Sequence, residues 1–229
     1  MLLSDTRTNA GLDNIATYRK MFFFENPGER VIAVMTAGSL SVTQTTLGRL
    51  QEAIDDEMAD ETTSIMLAPT MLQVASIIGE CLSRTRREIS DQLRDLRQNQ
   101  ASASLIVAGQ RAGGDLRLFL IYPEGNFIQA TGDTPFLQIG EHKYGKPLLD
   151  RVVTPATCLA DAQKAVLLSM DSTMRSNLSV GMPLDLAVIE RDACRVTHKR
   201  RFLDGDPDFD RLSAAWSAAL RDGFLRMTL

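Results

Sequence analysis

Two apolar runs, Met21 to Phe24 and Val31 to Met35, are joined by Glu25-Asn26-Pro27-Gly28-Glu29-Arg30. No other stretch constrains the fold as much. A strand with one wet face alternates apolar and polar residues, whereas a continuous apolar run asks for burial on both faces. Pro-Gly between β-rich runs makes a hairpin connection. The pair is therefore predicted to lie in a sheet with something packed on each side. A chain of 229 residues, 44% hydrophobic and 24% charged, is long enough to build such a core as one domain spanning 1–229.

Met1-Leu2-Leu3 reads as the tail of a strand, followed by the polar Ser4-Asp5-Thr6 and a turn around Asn9-Ala10-Gly11. After Gly38, Leu47, Leu50, Ile54 and Met58 recur at helical spacing. A second helix is predicted beyond Pro69, with Leu72, Ala75, Ile78 and Leu82 on one face, continuing through the mixed charges of Arg84 to Arg97. Ser104–Ala108, Leu116–Tyr122 and Phe127–Ala130 are short apolar runs separated by turn chemistry, which predicts an antiparallel meander. Leu148–Val153 is a short helix or strand. The helical period returns from Cys158 and is expected to break at the polar stretch Asp171–Ser176. Pro183–Ile189 alternates like a strand, and Arg195–Phe202 is its expected partner. Asp206-Pro207 starts a last helix carrying Leu212, Trp216 and Leu220. Strand groups alternating with helix pairs predict an α+β fold. Two face-to-face antiparallel sheets flanked by helices, a four-layer αββα sandwich, would satisfy the order.

Several function classes are set aside. Net charge −4 argues against a general nucleic-acid binder. No apolar run is long enough to cross a bilayer, and the early Ser4-Asp5 does not fit a signal peptide. A cytoplasmic protein is expected. Cys81, Cys158 and Cys194 lie far apart without metal-ligand spacing, and are expected to be buried reduced thiols. His142 and His198 belong to no metal cluster, and no cofactor is expected. The Gly109–Gly114 stretch lacks the lysine and helix of a phosphate loop, so it reads as a hairpin. Lys199-Arg200-Arg201 is too short a basic run for nucleic acid, and Asp204–Asp210 reads as a helix cap rather than a calcium loop.

The order Ser-Asp-Thr-Arg-Thr-Asn at 4–9, Tyr-Arg-Lys at 18–20, an apolar strand, Val-Met-Thr-Ala-Gly-Ser at 34–39 and Ser-Met-Asp-Ser-Thr-Met-Arg-Ser-Asn at 169–177 resembles proteasome-type β subunits. Within them it is most similar to the bacterial proteasome homologue called the ancestral β subunit. These are N-terminal-nucleophile hydrolases, related also to the two-component protease HslV. The resemblance covers nearly the whole chain and implies the same four-layer fold.

It also implies a chemistry. Such peptidases attack the peptide carbonyl with the hydroxyl of the first mature residue, usually threonine, and use its own α-amine as base. A hydroxyl is a weak nucleophile until a positioned base takes its proton, and an α-amine with a pKa of roughly 8 can do so near neutrality. A neighbouring ammonium lowers the proton affinity of both groups, and a carboxylate holds that ammonium. By resemblance Asp5 is that acid, Lys20 the ammonium, and Gly38 the oxyanion donor, next to Ala37. Asp171 would support the terminal amine, with Ser176 as companion hydroxyl; Ser179 is the alternative, because the spacing before Gly181 departs from the family pattern. Thr6, Asn9 and Ala37 would border the substrate cleft. A second departure is Gly140-Glu141-His142 in place of the family's Gly-Ser-Gly, which leaves open whether Glu141 substitutes for the serine. A third is the chain start: the pattern puts the nucleophile roughly a dozen residues before Asp5, about a strand and a turn. The expectation is an N-terminally truncated, inactive form of a threonine peptidase, the alternative being a non-catalytic structural subunit. Peptide or unfolded protein is the implied substrate, and a homo-oligomeric ring or spiral the implied assembly, with any unfolding ATPase unidentified.

Overall fold

The computed structural model describes residues 1–9, 15–94 and 101–228. In chain order the elements are β1 (Leu2–Asp5), β2 (Arg7–Asn9), β3 (Ile15–Thr17), β4 (Met21–Asn26), β5 (Arg30–Gly38), α1 (Leu40–Asp55), α2 (Met71–Arg94), β6 (Ala103–Arg111), β7 (Arg117–Ile121), β8 (Phe127–Gln129), α3 (Lys146–Val152), α4 (Leu159–Ser176), β9 (Leu184–Val188), β10 (His198–Phe202) and α5 (Pro207–Arg226). The strands pair antiparallel throughout, so the fold is α+β. The chain divides into two compact units. One comprises Met1–Arg19, Glu141–Val188 and His198–Leu229; the other comprises Lys20–Gly140 and Ile189–Thr197.

The Lys20–Gly140 unit holds a five-stranded sheet in the order β4-β5-β6-β7-β8. β5, one of the two strands expected to be buried on both faces, lies inside this sheet, and its Val31, Ile32, Ala33 and Val34 are all buried. Alternate residues Ile32, Val34, Leu105, Val107, Phe119 and Ile121 pack against Leu47 and Leu50 of α1 and Val74, Ile78 and Leu82 of α2. Each such side chain contributes roughly 1.5–3 kcal/mol by leaving water. β4 departs from the expectation. It is an edge strand, so Phe22, Phe23 and Phe24 are only half-buried.

Two helix faces also differ from their sequence patterns. α1 stops at Asp55, leaving Met58 89% exposed. The acids Asp55, Asp56 and Glu57 crowd the negative end of the helix, where the dipole disfavours them. On α2 the buried stripe runs through Val74, Ala75, Ile78, Cys81 and Leu82, and Leu72 is exposed in the first turn. The turn before β8 presses Gly125 onto Gly79 of α2: a Cβ on Gly79 would lie 2.2 Å from the Gly125 carbonyl oxygen. The segment Ile189–Thr197 is pinned to β6 by a reciprocal pair, Gln110 Nε2 to Asp192 Oδ1 at 2.7 Å and Asp192 N to Gln110 Oε1 at 2.8 Å.

The other unit holds the sheet β1-β9-β10 and the separate β2-β3 hairpin. Leu2 pairs with Ala187 and Asp5 with Leu184. The core here joins Leu184, Leu186, Val188 and Phe202 of the sheet to Leu167 of α4 and Phe209 of α5. The ambiguous stretch at 148–153 is helical, with Pro147 in the first turn of α3. The expected break at Asp171–Ser176 is absent: α4 runs unbroken through it. Its polar side chains find partners without leaving the helix. The Ser172 and Thr173 hydroxyls donate to the carbonyls of Leu168 and Ser169, and Arg175 reaches back to Asp171. α5 starts at the expected cap, Asp206 accepting from the amides of Asp208 and Phe209. Cys81 and Cys194 are buried as expected, but Cys158 is exposed at the start of α4. Residues 95–97 of the mixed-charge helix and the Ala10-Gly11 turn lie outside the described residues.

Candidate functional site

Asp5 ends β1 and is 8% exposed. A buried carboxylate needs donors. Its Oδ2 accepts from the amide of Arg7 at 3.2 Å and of Gly181 at 3.4 Å. Arg7 donates from Nη1 to the Leu178 carbonyl at 2.9 Å. The guanidinium lies so near the Gly181 backbone that a Cβ there would sit 2.3 Å from Arg7 Cζ. Thr6 is fully buried, its hydroxyl donating to the Pro183 carbonyl at 2.8 Å. Asp5, Thr6 and Arg7 thus clasp the 177–183 connection between α4 and β9. Asn9 closes β2, and its side chain lies outside the described residues.

The same connection binds Glu141. Asn177, the residue after α4, donates from Nδ2 to Glu141 Oε2 at 2.9 Å. Its Oδ1 accepts from the Ser179 amide at 2.9 Å and the Ser179 hydroxyl at 2.6 Å. The Lys143 amide donates to Glu141 Oε1 at 3.1 Å. That amide first, and the Asn177 side chain after it, hold the Glu141 carboxyl below the ordinary glutamate range. Ser176 is exposed in the last turn of α4.

Asp171 sits within α4 as a helix tie. Its Oδ1 accepts from Ser213 of α5 at 2.8 Å, and its Oδ2 from Arg175 Nε at 3.0 Å. Arg175 also donates to Ser213 at 2.7 Å, closing a three-residue ring.

In the sheet of the Lys20–Gly140 unit, Lys20, Ala37 and Gly38 gather at one end of the β4–β5 pair. Met21 faces Met35, and the Lys20 carbonyl accepts from the Thr36 amide at 2.9 Å. Gly38 has φ +108°, a backbone state that only glycine adopts readily, and an added Cβ would lie 2.4 Å from the Ser102 carbonyl oxygen. It opens the turn into α1. Gly140 comes up beside Ala37, where its Cβ would be 3.3 Å from that of Ala37.

Arg200 pairs with Asp206 and Asp208, and Arg201 with Asp185, so both arginines of the basic run are neutralised on its own sheet and cap. His142 and His198 are exposed, and among the described residues no His, Cys, Asp and Glu group could hold a metal. No described helix is long and apolar enough to cross a membrane. Sequence reasoning passed over Arg7 and Asn177, whose contacts are long-range; only the odd spacing before Gly181 hinted at this segment.

No family profile matches the chain, and no curated protein does. Solved structures do. A Gly-1 mutant of Anbu from Hyphomicrobium sp. strain MC1 is 47% identical over 99% of this chain and 92% of that one, with TM-score 0.91. Anbu (ancestral β-subunit) from Yersinia bercovieri is 40% identical over the same shares, with TM-score 0.89. Anbu from Pseudomonas aeruginosa, solved as a helical assembly of the Anbu complex, is 45% identical over 99% and 92%, with TM-score 0.91. With identities of 40–47% across nearly its full length, the chain belongs to the Anbu family, the ancestral β subunits of the proteasome type.

Proposed function

We propose that this chain is a subunit of a self-compartmentalising, threonine-type peptidase that cleaves unfolded polypeptides in the cytoplasm. The observation that carries the reading is the gathering of Lys20, Ala37 and Gly38 at one end of the β4–β5 pair, in a family of proteasome-type subunits. In this reading the nucleophile is the hydroxyl of a mature N-terminal threonine and its α-amine is the base. The Lys20 ammonium lowers the proton affinity of both, and Asp5 holds the ammonium by charge. The Gly38 amide receives the oxyanion, at a position whose backbone conformation favours glycine. Thr6, Asn9 and Ala37 border the substrate cleft in this reading. Ser179, tied to Asn177, takes the companion role more readily than Ser176, and Asp171 fixes α4 to α5.

The four-layer αββα arrangement and the single 1–229 domain belong to the same proposal. The antiparallel sheet and attendant helices found in each unit support the layered arrangement. A homo-oligomer completes it, because enclosure restricts cleavage to chains that can enter. The Pseudomonas relative forms a helical assembly. In this chain the end of α5 exposes Leu220, Phe224, Leu225 and Met227, apolar surface of the kind that subunit contacts cover.

The test uses the protein as it accumulates in its own cells, treated with a threonine-directed epoxyketone and weighed intact. One adduct on the first residue is expected, and none in a Lys20→Ala variant. A protein that takes up no adduct and cleaves no peptide would be a structural subunit of the same fold.

A further inference from the structure

We propose that Asn177 and Glu141 are positioning residues that fix the hydroxyl proton of Ser179, presenting its oxygen as an acceptor to the reacting terminal amine. The proposal rests on the threonine-peptidase reading and assigns to it residues that are not part of its acid, lysine and oxyanion set.

The amide of Asn177 has one orientation that satisfies all its neighbours. The Ser179 N–H can only donate, and the Glu141 carboxylate can only accept. Asn177 must therefore turn Oδ1 toward Ser179 and Nδ2 toward Glu141, as observed at 2.9 Å on each side. With Oδ1 so placed, the Ser179 hydroxyl has an acceptor at 2.6 Å, and its proton is held there. A hydroxyl whose proton is committed offers only lone pairs to anything else. That suits it to accept from an ammonium or amine, and unsuits it to compete for the base.

The link is not a local turn closure alone. Glu141 is 36 residues from Asn177 in sequence, and it is anchored in turn by the Lys143 amide. The far end of the loop is held by a second carboxylate, Asp5, through the Gly181 amide, while Arg7 grips the Leu178 carbonyl between them. Ser179 thus rides on a five-residue loop, 177–181, clamped by a carboxylate at each end. Two such clamps restrict the rotation of the loop, which is what positioning requires.

The test is steady-state peptide hydrolysis, with epoxyketone labelling rate, on the protein as it accumulates in its own cells. Asn177→Ala is expected to lower kcat on the order of tenfold or more, as for loss of a group that supports proton transfer, with KM little changed. Ser179→Ala should lower it similarly, and the double variant should be no slower than Ser179→Ala alone, since the residues act as one unit. Glu141→Ala, which leaves the loop sequence intact, should follow Asn177→Ala; Glu141→Gln, which keeps an acceptor for Asn177, should recover most of kcat. Unchanged kcat in Asn177→Ala and Glu141→Ala overturns the proposal, as do effects that multiply in the double variant. In both cases an active wild type leaves the peptidase reading standing. A wild type with neither turnover nor adduct removes both.

Discussion

At the scale of single residues, the structure separates carboxylates that look alike in the sequence. Asp171 and Asp5 both lie in polar stretches, and both are buried. Asp171 spends its two oxygens on Ser213 and Arg175, tying one helix to another. Asp5 receives backbone amides from Arg7 and Gly181 and so organises a loop. Glu141 is the third case, with its carboxyl held below the ordinary range by the Lys143 amide and then by Asn177. A group whose acidity is raised on folding adds stability above its unfolded titration range, and that stability is lost as pH falls through the lowered, folded value. Denaturant midpoints followed downward from neutral pH should therefore fall less steeply in Glu141→Gln than in wild type, below the ordinary glutamate range. Parallel curves would remove the carboxylate from the linkage. Asp5 was legible from its place in the family pattern. The partners of Glu141 were not, because a contact across 36 residues leaves no local signature.

At the scale of elements, periodicity located most helices and strands, and failed where burial was decided by neighbours. Strand β4 and strand β5 read alike as apolar runs, yet only β5 lies inside the sheet; β4 is its edge. The predicted break at 171–176 failed because i to i−4 hydroxyl bonds and an Asp171–Arg175 pair keep polar residues helical. Two helical glycines show how context sets the sign of a substitution. Gly79→Ala drives a Cβ into the Gly125 carbonyl and should cost about 1–3 kcal/mol. Gly48→Ala, exposed on α1 with open space around it, should stabilise by about 0.5–1 kcal/mol through helix propensity alone. Urea titration of both variants checks the pair, and equal effects would mean that the turn before β8 yields freely.

At the scale of the whole molecule, the exposed end of α5 bears on assembly. Leu220, Phe224 and Met227 follow one another at i, i+4 and i+7, one stripe of the helix and its cap, at 53%, 75% and 79% exposure. The double variant Leu220→Glu, Phe224→Glu should reduce the particle mass measured by light scattering while the far-ultraviolet circular dichroism stays as in wild type. An unchanged mass would send the subunit contact elsewhere. The sequence by itself determined the α+β class, the meander, the α5 cap and the family, since these rest on local periodicity, turn chemistry and residue order. The tertiary structure alone decided which apolar strand is an edge, which acid ties helices and which grips a loop, and that Asn177 joins Glu141 to Ser179. Those depend on distances between residues far apart in the chain, and the backbone path that brings them together is set by packing rather than by any one segment's preference.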